Sequence, residues 1–134
     1  MRNRSDLYTL MAKKEAAVKA EKMRELRKIT AAHSQAEMLS ERLRTILDER
    51  QVKGPVLAAQ LRSASSLNTK IAAEAAVQSE RKIELSKQLE QSRTEFARQD
   101  YKAQYLVNAA AKARAEEADE REAREMASRP VPRR

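Results

Sequence analysis

Side chains that do chemistry must be of the right type and within reach of one another, and this chain offers few candidates. His33 is its only histidine, and it has no cysteine. A general base needs hydrogen-bond reach to the proton it takes and usually a second group to orient it. His33 falls on the flank of a helical stretch and reads as a solvated flank residue. One histidine without cysteine supplies no usual zinc set. The single glycine, Gly54, excludes a P-loop or a dinucleotide-binding fingerprint. The acids Glu116, Glu117, Asp119 and Glu120 are of a type that binds cations, but Arg114, Arg121 and Arg124 are interleaved with them. That run reads as a solvated helix surface. No catalytic residue, cofactor or metal site is expected, and the chain reads as a non-enzyme.

The other charge-bearing group is basic. Lys13, Lys14, Lys19, Lys22, Arg24, Arg27 and Lys28 crowd the start of the chain. Residues 1–30 carry nine Lys or Arg against four acids, while residues 31–134 carry nineteen against sixteen. The net charge of +8 therefore belongs mainly to the beginning, where it invites an acidic protein surface, nucleic acid or lipid headgroups. The basic residues point around a helix rather than along one stripe, acids interleave, and no aromatic platform for stacking bases accompanies them. Docking to an acidic protein surface is the favoured reading. A basic coiled coil that dimerises or associates with nucleic acid is the alternative.

The elements that position these residues follow from one dipeptide, Gly54-Pro55. Glycine suits the position after a helix, where it adopts a left-handed backbone without a Cβ clash. Proline suits the first turn of the next helix, where its missing N–H is not needed. With 36 % charged and 3 % aromatic residues, the chain cannot fill a deep core, but it can fill a narrow seam between helices. Heptads supply that seam. In the first helix they run through Ile29, Ala32, Ala36, Leu39, Leu43 and Ile46. Backwards, the frame meets Glu25, Lys22, Val18, Glu15, Met11 and Tyr8, with Leu7, Leu10 and Leu26 beside it. In the second helix seventeen seam positions run from Leu57 to Ala113 without a slip, and twelve are apolar. A disordered chain has no reason to hold phase for so long.

These patterns predict an all-α protein, a long antiparallel two-helix coiled-coil hairpin whose second helix is longer than its first. Helix 1 is expected over 5–52 with Ser5 as its cap, the tip turn over 53–56, helix 2 over 57–127 and a flexible tail over 128–134. The serine-rich stretch at Ser63, Ser65 and Ser66, with Asn68 and Thr69, marks a possible break. Placing Ile46 opposite Leu61 makes facing residue numbers add to 107, and sets Glu25 against Lys82. In that register an unpaired overhang of helix 2 starts at about 104, exposing Leu106, Ala110 and Ala113. No apolar run exceeds the four residues Val56 to Ala59, so neither a membrane span nor a signal-peptide core is expected, and the expected location is the cytoplasm.

The opening Leu7-Tyr-Thr-Leu10 followed by Lys14-Glu15, the mid-chain tip, and the closing Ala115-Glu-Glu-Ala-Asp-Glu-Arg-Glu-Ala-Arg-Glu-Met-Ala-Ser-Arg129 together resemble the FliJ family of flagellar export proteins and its type III secretion counterparts. The likeness extends over nearly the whole layout. The serine-rich stretch after the tip and the proline-rich tail depart from it. The resemblance implies an antiparallel coiled coil similar to the stalk of rotary ATPases. It implies partners as well: the hexameric flagellar export ATPase, the cytoplasmic domain of the export gate and export chaperones, with contact to the inner membrane only through those partners. The end formed by residues 1–25 and 85–127 would enter the ATPase ring. Its implied partner-binding residues are Leu7, Leu10, Met11, Lys13, Lys14, Tyr101, Tyr105, Leu106, Arg114, Arg121 and Arg124.

Overall fold

The computed structural model describes residues 3–50 and 57–130, and within them the chain forms two helices and no strand. Helix α1 spans Arg4–Glu49 and helix α2 spans Ala58–Ser128. They run antiparallel as a two-helix hairpin, the second helix being the longer. The tip expected at 53–56 lies outside the described residues, as do residues 51–52 and 131–134.

Local chemistry sets the helix ends. The Leu7 N–H donates to the Asn3 carbonyl at 3.1 Å, so the cap of α1 is Asn3 rather than the expected Ser5. Asn3, two residues earlier, is of a type favoured at that position, while Asp6 favours the positive end of the helix dipole. At the other end the Arg50 N–H is shared between the carbonyls of Ile46 and Leu47, a tightened last turn. Helix α2 stops at Ser128, because Pro130 disfavours helical geometry at the residue before it. The serine-rich stretch does not break α2. Thr69 Oγ1 donates to the Ser65 carbonyl at 2.9 Å, one of four threonines that bond back to the preceding turn.

The chain divides into two compact units, one of residues 1–23 with 94–134, the other Arg24–Arg93. In the second, the most buried apolar residues are Ala36, Ala75 and Leu89, with Ser40 and Ser92 buried among them. Its polar cross-helix pairs fix the register. His33 with Ser86, Glu37 with Lys82 and Ser40 with Ser79 all have residue numbers adding to 119, and Arg50 with Asn68 to 118. In the first unit Ala103, Leu106, Ala110 and Ala113 are buried together with Ser5. Lys19 and Asp100 add to 119, Lys22 and Glu95 to 117, and Arg4 and Glu116 to 120.

The expected sum of 107 is thus replaced by about 119, and Lys82 meets Glu37 instead of Glu25. An alanine seam has little relief, so many offsets pack almost equally well, and the polar pairs decide among them. The adopted offset also leaves the weak helix formers after the tip beyond the end of α1, where Leu57 is 71 % exposed. In exchange it covers the alanine-rich stretch around Leu106. The overhang expected from about 104 is corrected accordingly: pairing continues to Glu117, and the fully exposed end of α2 begins at residue 118.

Helix α1 follows the expected stripe at most positions and departs from it at three. The expected positions Tyr8, Glu15, Val18, Lys22, Ile29, Ala32, Ala36, Leu43 and Ile46 are buried or half-buried. Between them the seam passes through Ala12, Leu26 and Ser40, so that Met11, Glu25 and Leu39 are exposed. The seam of α2 follows the expected frame, with every position from Ala64 to Ala113 buried or half-buried.

Candidate docking surface

The start of α1 and the last paired turns of α2 are joined by a carboxylate. The backbone N–H of Ser5 donates to Glu117 Oε1 at 3.1 Å and its hydroxyl donates to Oε2 at 2.6 Å. Ser5 lies in the first turn, where N–H groups have no partner within the helix, so Glu117 supplies from the other helix what a cap would supply locally. The two bonds, the hydroxyl first, hold the Glu117 carboxyl below its ordinary value. Arg4 pairs with Glu116 beside it. Farther along, the Glu15 carboxyl is lowered first by the Gln99 amide and next by Lys102, which stands 3.2 Å away.

This unit exposes several apolar and aromatic side chains. Arg4, Leu7, Met11 and Lys14 follow one another at helical spacing along α1, as do Tyr101, Tyr105 and Lys112 along α2. A shallow groove lined by Arg4, Tyr8, Tyr105, Ala109 and Lys112 sets Arg4 and Tyr8 of α1 beside Tyr105 and Lys112 of α2. Tyr101 is 75 % exposed, and Leu7, Met11 and Tyr105 are exposed with it. Of the expected partner-binding residues, Leu7, Met11, Lys14, Tyr101 and Tyr105 are exposed on this unit, and Tyr105 lines the groove. Leu10 and Lys13 lie around a depression with Asp6 and Thr9, and Arg114 donates to Thr9 Oγ1 at 2.8 Å there. Arg121 and Arg124 stand on the exposed end of α2. Leu106 is corrected: at 6 % exposure it belongs to the seam and has no surface for a partner.

Tyr8 and Lys112 join the groove without having been expected there. Tyr8 is a seam position whose half-buried ring reaches the groove edge, and Lys112 lies two turns from Tyr105. The helical spacing of Tyr105 and Lys112 was the available signal. The Ser5–Glu117 bond had none, because it appears only once the register is known.

The reactive residue types reach a different arrangement from the expected one. His33 is not a solvated flank residue: its Nε2 and Ser86 Oγ share a hydrogen bond at 2.9 Å, and its Nδ1 stands 4.0 Å from Glu37. Hydroxyl, imidazole and carboxylate in line resemble a nucleophile with its base. Both His33 and Ser86 lie in mid-helix, however, where backbone N–H groups are spent in the helix and cannot stabilise an oxyanion. The same side chains serve as a polar layer of the seam. Among the described residues no cluster of three or more His, Cys, Asp or Glu is placed to hold a metal ion, and no helix is long and apolar enough to cross a membrane. The chain matches no family model, no curated protein and no solved structure.

Proposed function

We propose that the chain is a non-enzymatic coupling stalk of a flagellar type III export apparatus, docking on the hexameric export ATPase and on the cytoplasmic domain of the export gate. The family resemblance motivates the partners. The observation that carries a docking role is the exposure of Leu7, Met11, Tyr101 and Tyr105 in this unit, with Tyr105 beside Arg4, Tyr8 and Lys112 in one groove. Exposed aromatic and methionine side chains accompanied by cations are the composition of a protein-binding surface. These side chains lie in the unit the resemblance places inside the ring. Any location at the inner membrane, and any escort of chaperones, would come through those contacts.

The nucleic-acid reading is less well supported. Lys19 and Lys22, two members of the basic cluster, are engaged by Asp100 and Glu95.

Titration of the purified chain against the assembled ATPase hexamer tests the proposal. Saturable binding is expected, weakened about tenfold or more by Tyr101→Ala with Tyr105→Ala, as for aromatic anchors at other interfaces. Binding unchanged by that pair would remove these side chains from the account. Absence of binding to both ATPase and gate would remove the function.

A further inference from the structure

Helix α1 carries a second heptad stripe that α2 covers only in part. In the unit Arg24–Arg93, the steps of four and three through Lys28, Ala32, Gln35, Leu39, Arg42, Ile46 and Glu49 trace one face beside the seam. Ala32 and Ile46 are half-buried at the seam's edge, Leu39 is 39 % exposed, and neighbouring Met38 is 67 % exposed. The stripe is thus continuous with the established interface and only partly covered by it.

Its order is self-complementary. When two copies of α1 are laid antiparallel about a two-fold axis at Leu39, Leu39 meets its own copy and Ala32 meets Ile46. One residue off that register, about 1.5 Å along the axis, Gln35 meets Arg42 and Lys28 meets Glu49. Every polar position then faces a hydrogen-bonding or opposite-charge partner, twice over, as an isologous contact requires. A parallel pairing would instead oppose Lys28 to Lys28 and Glu49 to Glu49. The end of α1 adds a second reason. Within Arg4–Glu49 its last turn holds Asp48 and Glu49 and no basic residue, and the side chain of the following Arg50 is engaged by Asn68, although the unpaired carbonyls there favour a cation. Lys28 of a second copy would supply one.

We infer that the outer stripe of α1 is a homodimer interface, in which two copies pack antiparallel through Ala32, Leu39 and Ile46 with reciprocal Lys28–Glu49 pairs. The apolar content is thin, so the association is weak and concentration-dependent.

Sedimentation velocity over a wide range of concentration tests this with the full chain. The mass should rise from 15.2 kDa toward twice that value. Leu39→Asp should hold the protein at monomer mass with its helical circular dichroism unchanged, because that side chain is outside the hairpin seam. Lys28→Glu should weaken the dimer roughly threefold to tenfold by setting two like-charge pairs against each other. Adding Glu49→Lys to that variant should restore it. Monomer mass at the highest concentration, a dimer indifferent to Leu39→Asp, or a charge reversal that fails to rescue would each overturn the inference.

Discussion

Glu117 holds the start of α1 by accepting both the N–H and the hydroxyl of Ser5. Its carboxyl and that of Glu15 lie below the ordinary value of 4.5 in the folded chain. A carboxyl so lowered binds fewer protons folded than unfolded, so its contribution is fully present above the ordinary value and is lost as the pH falls through the folded one. Thermal melts followed by circular dichroism should therefore be flat from neutral pH to about pH 5 and should decline below the ordinary carboxylate range. Glu117→Gln keeps an acceptor and removes the charge, so it should lower the melting temperature less than Glu117→Ala. It should also shrink the acid-side decline. A decline of undiminished size in the glutamine variant would assign the acid sensitivity to other groups.

At the scale of the helix, the phase of α2 was legible because one heptad frame persists from Ala64 to Ala113. In α1 the frame was ambiguous for a physical reason. Apolar residues stand on both sides of Ile29, Ala36 and Leu43, and helical spacing alone cannot say whether Leu39 or Ser40 faces the partner helix. The smaller, polar Ser40 does, because Ser79 satisfies its hydroxyl at 2.9 Å. The register was illegible for a related reason, since alanine layers repeat at several offsets. The observed register changes what a truncation does. Removing residues 118–134 deletes only the exposed end of α2 and should leave the hairpin's melting almost unchanged. Removing residues 108–134 also takes away Ala110, Ala113 and Glu117, and should melt the first turns of α1. Hydrogen exchange would show lost protection over residues 4–12 in the shorter chain alone. Equal protection in both would mean that those turns are held by something other than α2.

For the molecule as a whole, the hairpin could be read from Gly54-Pro55 and two heptad runs. Leu7, Met11, Tyr101 and Tyr105 are exposed, and their role in binding is for the titration to decide. The assignment of Leu106 failed because its burial depends on the register. Partners rest on resemblance, since a two-helix scaffold serves many roles.

The seam described above has a mechanical corollary. Its most buried residues, Ala36, Ala75, Ala110 and Ala113 among them, are small, and no described side chain is fully enclosed. Small side chains let helices approach closely, but they interlock little. Friction between α1 and α2 is then concentrated in a few polar pins, such as Ser5 on Glu117 and Arg50 on Asn68. Under a shear load along the helix axis, the helices should slide past one another by whole heptads, about 10 Å at a time, before either unwinds. Optical-trap extension traces from chains tethered through α1 and α2 should show steps of that size. Ser5→Ala should lower the force of the first step, whereas traces showing only unwinding would mean that the seam grips more firmly than its alanines suggest.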